Sequence, residues 1–230
     1  MSYIWQDFNI KTFPAETVVF RDGVFCPELS TLDSPIIDKN YDLPVHFIYV
    51  GEIIGDNVLD IIINENVKNQ IIYLSGKIKV NSYAKLNVSV KNSGFGTDLH
   101  GYFIIENHGN IKFNVDAYHL CRETGIFIQT KLLAYANSIS ELTGVAHIYQ
   151  YCENAKSDIN FSAISDENTK IIFKPVQKIS SVPESAAHSA NMAYYNDAQI
   201  EYLHESGLTD IEIKRVLKDA FMNDINMFKN

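Results

Sequence analysis

The runs Lys85-Leu-Asn-Val-Ser-Val90, Gly101-Tyr-Phe-Ile-Ile105, Asn110-Ile-Lys-Phe-Asn-Val115 and Gly125-Ile-Phe-Ile-Gln-Thr130 decide the fold. Each is short, rich in β-branched and aromatic residues, and alternating or continuously apolar, which is the pattern of strands rather than of amphipathic helices. Working outward, similar runs stand at His46-Phe-Ile-Tyr-Val50, Val58-Leu-Asp-Ile-Ile-Ile63, Gln70-Ile-Ile-Tyr-Leu74, Lys77-Ile-Lys-Val80, Gly144-Val-Ala-His-Ile-Tyr149 and Asn168-Thr-Lys-Ile-Ile-Phe173. Most corners between them carry Asn or Asp (Asn64, Asn66, Asn69, Asn81, Asn92, Asn107, Asn110, Asn137, Asp158) in place of the Asn-Gly and Asp-Gly pairs of tight hairpins. Asn tolerates left-handed backbone and can ladder between stacked turns. Strands of four to six residues with such corners read as the coils of a β-solenoid, without an exact repeat period. An antiparallel sandwich or barrel is the alternative on the same runs.

The 230 residues allow one domain, or one large domain with an appendage, and 46% hydrophobic with 20% charged content excludes a disordered chain. A net charge of −9 disfavours a phosphate backbone or an anionic membrane as partner. Ten of the acids, against three bases, fall in residues 1–60, so the early chain presents an acidic face. No window approaches the roughly 18 apolar residues of a membrane span, and Met1-Ser-Tyr-Ile-Trp-Gln-Asp7 lacks the basic and apolar regions of a secretory signal. The expected location is cytoplasmic.

Cys26, Cys121 and Cys152 are too far apart for a disulfide framework or a C-x-x-C knuckle, so thiol chemistry must be assembled in three dimensions. There is no phosphate-binding G-x-x-x-x-G-K-[ST], no G-x-S-x-G and no H-E-x-x-H. The chain is not expected to be an ATPase, and acid-base chemistry of a solenoid enzyme acting on a polysaccharide is the reading that stays open from another function class.

After Phe173 the character changes. Lys174-Pro-Val-Gln-Lys-Ile-Ser-Ser-Val-Pro-Glu184 is a proline-bounded extended stretch, followed by Ser185-Ala-Ala-His-Ser-Ala-Asn191. Asp197 can then cap a short helix carrying Ile200 and Leu203 that Gly207 terminates, and Thr209-x-x-Glu212 is a capping box for a second helix. Its acids (Asp210, Glu212, Asp219, Asp224) argue against a DNA-reading pair. The organisation expected is an N-terminal segment 1–45, a parallel β-helix core 46–190 and a helical region 191–230.

Pro183-Glu-Ser-Ala-Ala-His-Ser-Ala190 followed by Ala198-Gln-Ile-Glu-Tyr-Leu-His-Glu-Ser-Gly-Leu-Thr-Asp-Ile-Glu-Ile-Lys-Arg-Val-Leu-Lys-Asp-Ala-Phe221 resembles the C-terminal signature of the SufB/SufD family, scaffold proteins of iron–sulfur cluster assembly. Gln199, Tyr202, Leu203, Gly207, Leu208, Leu217 and Phe221 fall on that pattern. Upstream, Val18-Val-Phe-Arg-Asp-Gly-Val-Phe25 with Glu28-Leu-Ser30 is similar to an early family segment. His119, Thr124, Lys131, Ser138 and Gly144 are similar to a family strand series.

The resemblance implies a right-handed parallel β-helix with a C-terminal helical pair, and a non-catalytic scaffold. Such a scaffold binds a SufC-like ABC ATPase through the helical end, with Tyr202, Leu203, Gly207, Leu208 and Phe221 as the contact residues. It dimerises through the β-helix, as a homodimer or a SufB/SufD-type heterodimer. Ser206 and Ser189 replace the family's usual Arg and the Glu that SufB carries, and no Cys follows Glu153. The nearest description is a compact, SufD-like member. For a transient iron–sulfur cluster the implied ligands are His188, within Ala-His-Ser-Ala, and Cys152, with His119 and Cys121 one or two coils earlier.

Overall fold

The computed structural model describes residues 15–193 and 197–223. Among the described residues, fourteen strands precede two helices: β1 (Glu16–Arg21), β2 (Val24–Phe25), β3 (Ile36–Ile37), β4 (Val45–Glu52), β5 (Gly55–Ile63), β6 (Ile71–Val80), β7 (Tyr83–Asn92), β8 (Asp98–Asn107), β9 (Asn110–His119), β10 (Gly125–Ala134), β11 (Ile139–Ile148), β12 (Lys156–Ser165), β13 (Lys170–Ile179), β14 (Ser185–Ala193), α1 (Asp197–Glu205) and α2 (Asp210–Asn223). Successive long strands alternate between two sheets. One, here sheet A, has the order β14-β12-β10-β8-β6-β4-β1-β2, and the other, sheet B, β13-β11-β9-β7-β5-β3. All pairs are parallel except β1 with β2. This is a β-solenoid of about six turns with a C-terminal helical pair, not an antiparallel sandwich or barrel.

Alternation along the strands makes the core. On β7 and β9 every second side chain (Ala84, Leu86, Val88, Val90; Ile111, Phe113, Val115, Ala117) points between the sheets and is buried, which is the period-2 rule of a pleated strand. One continuous cluster runs from Val18 to Ala163. The regular strands are ten residues long rather than four to six: Ile71–Leu74 and Lys77–Val80 belong to one strand, continuous through Ser75 and Gly76, with Gln70 just before it. Gly76 is small for a reason, since a Cβ there would lie 2.1 Å from Cδ1 of Phe103, its register partner on β8.

Beyond β1, β2 and β3, which lie in the segment 1–45, two further strands fall outside the runs read from the sequence. β12 contains Asp158, expected at a corner, and β14 is built from Ser, Ala, His, Asn and Met. Such a sequence has little strand preference of its own; the parallel edge of β12 supplies the pairing. Pro175 sits in β13, the last strand of its sheet, where a missing N–H is tolerated.

Asn works at the corners as expected at several positions. Asn69 and Asn137 adopt left-handed backbone, as do Asn154 and Asn168. The buried Asn92 accepts from Gly94 N and donates to Thr97 O, while Asn107 accepts from Gly109 N and donates across the rung to Ile139 O. Each satisfies backbone groups that a buried corner would otherwise leave unpaired.

The first coil closes its own edge. Asp22 and Gly23, both with positive φ, turn β1 into β2. The following segment then bonds β1 directly: Val19 N donates to Ser30 Oγ, Thr17 N to Thr31 Oγ1, and Val19 O accepts from Cys26 N. Leu29 packs on Val19, Ile48 and Val50. Among the described residues the solenoid thus runs from Glu16, within the segment 1–45, whose first 14 residues lie outside the described ones, to Ala193.

Candidate functional site

The last rung is where the chain has unfinished surfaces. Following the register upward, Val18, Phe47, Leu74, Gly101, Ile128 and Ile159 form one inward column of sheet A, and the next position in it is His188. Val18, Phe47, Leu74, Ile128 and Ile159 are fully buried, but His188 is exposed, because no described strand pairs beyond β14. On sheet B the same holds: Ile148 of β11 is 1% exposed and its partner Ile179 on β13 is 42% exposed. Ile171, Phe173 and Met192 cover the core only partly. Unlike the edge of β1, the outer edges of β13 and β14 meet no other described strand.

Cys152, in the corner after β11, lies one rung deeper and His119, at the end of β9, two rungs deeper; both are buried. They meet through the backbone: Cys152 Sγ donates to the carbonyl oxygen of His119 at 2.9 Å. The His119 ring turns elsewhere, with Nδ1 2.9 Å from Thr124 Oγ1. The Thr124 hydroxyl donates to Cys121 O, so it receives a proton from Nδ1, and Nε2 is left as a buried acceptor without a partner. Burial lowers the His119 pKa to about 4 and pushes the Cys152 thiol up. Cys121 is half-buried nearby, close enough to contribute to that rise. His188 belongs to the other sheet; only its neighbour Ala186 packs with Cys152, Ile148 and Ala155. Among the described residues no group of three His, Cys, Asp or Glu side chains is placed to hold a metal ion.

The helical pair follows the open rung. Gly207, at φ 87°, ends α1, and Leu208 N returns to Leu203 O. The capping box forms: Thr209 N and Oγ1 both donate to Glu212 Oε2, and Glu212 N reaches back to Thr209 Oγ1. Bonds from Thr209 hold the Glu212 carboxyl below the usual carboxylate range.

The five expected contact residues therefore divide. Tyr202 is 68% exposed, Leu203 and Leu208 are half-buried, and Gly207 is a backbone turn. Phe221 is engaged within the chain, its carbonyl accepting from Lys131 Nζ and its ring lying under that ammonium, 4.7 Å away.

Sequence reading missed two features here. Ile211 is 82% exposed on α2, beside the buried Ile213. Lys218 pins α2 to the solenoid, 2.9 Å from Asp166 Oδ2 and 4.0 Å from the Tyr135 ring centroid. Only the spacing of apolar residues on α2 could have flagged Ile211 as surplus to one buried stripe. None of the described helices is long and apolar enough to cross a membrane. Compared with known proteins, the chain matches no family model and no curated relative.

Proposed function

We propose that this chain is a scaffold of a SUF-type iron–sulfur cluster assembly complex, acting in the cytoplasm with a SufC-like ABC ATPase and doing no catalysis of its own. The observation that carries this reading is the exposed inward column of the last rung at His188, directly followed by a helical pair that leaves Tyr202 and Ile211 uncovered. A solenoid end with open strand edges and apolar interior is unfavourable in water and is completed by another chain. The residues resembling the SufB/SufD signature lie on these same elements.

In this reading the ATPase takes the helical pair, and a second scaffold chain, identical or SufB/SufD-like, meets the open rung. Iron and sulfide are cargo delivered to that junction. His188 is the exposed candidate ligand, since neutral imidazole suits iron. Cys152 and His119 belong to the side of the other sheet, one and two rungs deeper, and are closed to solvent in the single chain, so further ligands come from the second chain.

The experiment is co-purification with the ABC ATPase followed by anaerobic iron and sulfide analysis. The ATPase should be retained by the full chain and lost when the residues after Asn196 are deleted. His188→Ala should keep the complex but lose the cluster. Retention by the truncated chain, or full cluster occupancy with alanine at 188, would refute the assignment.

A further inference from the structure

The outward face of sheet A carries a groove of about 300 Å³ that the scaffold reading does not use. Its floor is a grid on three successive rungs. β8, β10 and β12 place His100, Phe127 and Asp158 in one column and Tyr102, Gln129 and Asn160 in the next. With rungs about 4.8 Å apart and alternate residues about 6.6 Å apart, the grid covers about 10 Å by 7 Å. That is the footprint of one or two sugar rings.

An aromatic stack ends inside this groove. Tyr73 and His100 lie 6.1 Å apart, and His100 stacks on Phe127 with centroids 4.9 Å apart and planes 13° from parallel. His100 therefore occupies one face of Phe127. The next rung offers Asp158 where a further ring would continue the stack, so the half-buried Phe127 borders a carboxylate on the side away from His100. Gln129 is exposed alongside.

Within the floor, Tyr102 Oη and Asn160 Oδ1 are buried without a hydrogen-bond partner. Folding has desolvated both, at about 1–3 kcal/mol each, and a small side-chain shift would bring them to a polar ligand. Burial also holds the Asp158 carboxyl above its ordinary range, and hydroxyls donated to it would favour its charged form.

The lining selects the ligand class. It contains no lysine or arginine, so nothing offsets the charge of a phosphate or an acidic sugar beside Asp158. A wholly apolar ligand would leave the carboxylate and the amides unmet. A pyranose answers both demands: its C–H face packs on an aromatic ring, and its hydroxyls both donate and accept. We propose that this groove binds a neutral oligosaccharide, with one ring against Phe127 on the side away from His100 and hydroxyls bonded to Asp158, Gln129 and Asn160. Asp158 is the one carboxylate in the lining, whereas glycoside hydrolysis ordinarily takes two, so the groove holds a sugar rather than cleaving it. This site is independent of the iron–sulfur reading and stands or falls separately.

The test is calorimetric titration of the full chain with maltotetraose, cellotetraose, chitotetraose and, as the acidic probe, tetragalacturonate. At least one neutral tetrasaccharide should bind with Kd below about 1 mM, and both Phe127→Ala and Asp158→Asn should weaken it at least fivefold. Asp158→Asn, isosteric with the native side chain, decides alone should the change at 127 disturb the sheet. The proposal is overturned if no neutral probe binds that tightly, if only the acidic probe does, or if Asp158→Asn binds within fivefold of the native chain.

Discussion

The Cys152 thiol donates to the carbonyl oxygen of His119 across 2.9 Å, which ties the corner after β11 to the end of β9 in the preceding rung. A thiol that is buried, bonded and raised above its ordinary pKa presents almost no thiolate. Under native conditions iodoacetamide should modify the half-buried Cys26 and Cys121 well before Cys152, with Cys152 reacting at the rate of unfolding. Peptide mass spectrometry over a time course checks the order. Early modification of Cys152 would show that this corner opens.

The pair Lys218 and Asp166 should govern how firmly α2 sits on the solenoid. Their side chains are only 13% and 17% exposed, and the ammonium also lies over Tyr135. Lys218→Met keeps the aliphatic stem but removes the charge, which costs about 1–3 kcal/mol of docking for a charged hydrogen bond. Hydrogen exchange should then accelerate across Asp210–Asn223 and stay unchanged in β7 to β9. Equal protection in the variant would mean that apolar contacts such as Ile213 dominate.

Stability should fall on mild acidification through two buried histidines. Burial holds His46 and His119 down to about 4 in the folded chain, against about 6.5 when unfolded. Between those values the unfolded chain takes up protons that the folded chain refuses. Their contribution is therefore intact above about pH 6.5 and is lost as pH falls towards 4, at up to roughly 3 kcal/mol for each histidine. Urea midpoints measured at pH 7 and pH 4.5 check this, and His119→Gln should reduce the difference. Parallel pH profiles for the two proteins would contradict the assignment.

Gly76 should resist enlargement. An alanine Cβ would meet Cδ1 and Cε1 of Phe103 at 2.1 and 2.5 Å, and Phe103 is itself locked against Phe113 at 5.0 Å. Gly76→Ala should cost about 1–3 kcal/mol by overpacking, and adding Phe103→Leu should recover part of the loss. Denaturant unfolding of the single and double variants measures the coupling. Additive effects would place the strain elsewhere.

The strand runs between Lys85 and Thr130, many of the Asn corners, the Gly207 stop and the Thr209 capping box were legible because each is encoded within a few neighbouring residues. Thr209 and Glu212 are three apart, and their mutual bonds follow from helix geometry alone. The repeat was harder to see for a countable reason. Asp98 pairs with Ile71 and with Gly125, 27 residues away on either side, but Gly125 pairs with Lys156, 31 residues on. Corner lengths vary, so the period drifts.

What the tertiary structure alone decided is column membership. His188 occupies the same column as the buried Ile159, and Cys152 meets the His119 carbonyl, only because corner lengths set which residues 26 to 31 apart come into register. β14 likewise exists through its neighbour, since Ala, Ser and Asn carry no strand signal until β12 offers an edge. The sequence by itself determined that the chain would make strands, turn at asparagines and end in two capped helices. Stacking of distant segments decided which side chains became core and which were left at the open rung, because parallel pairing is a long-range interaction that local propensity does not encode.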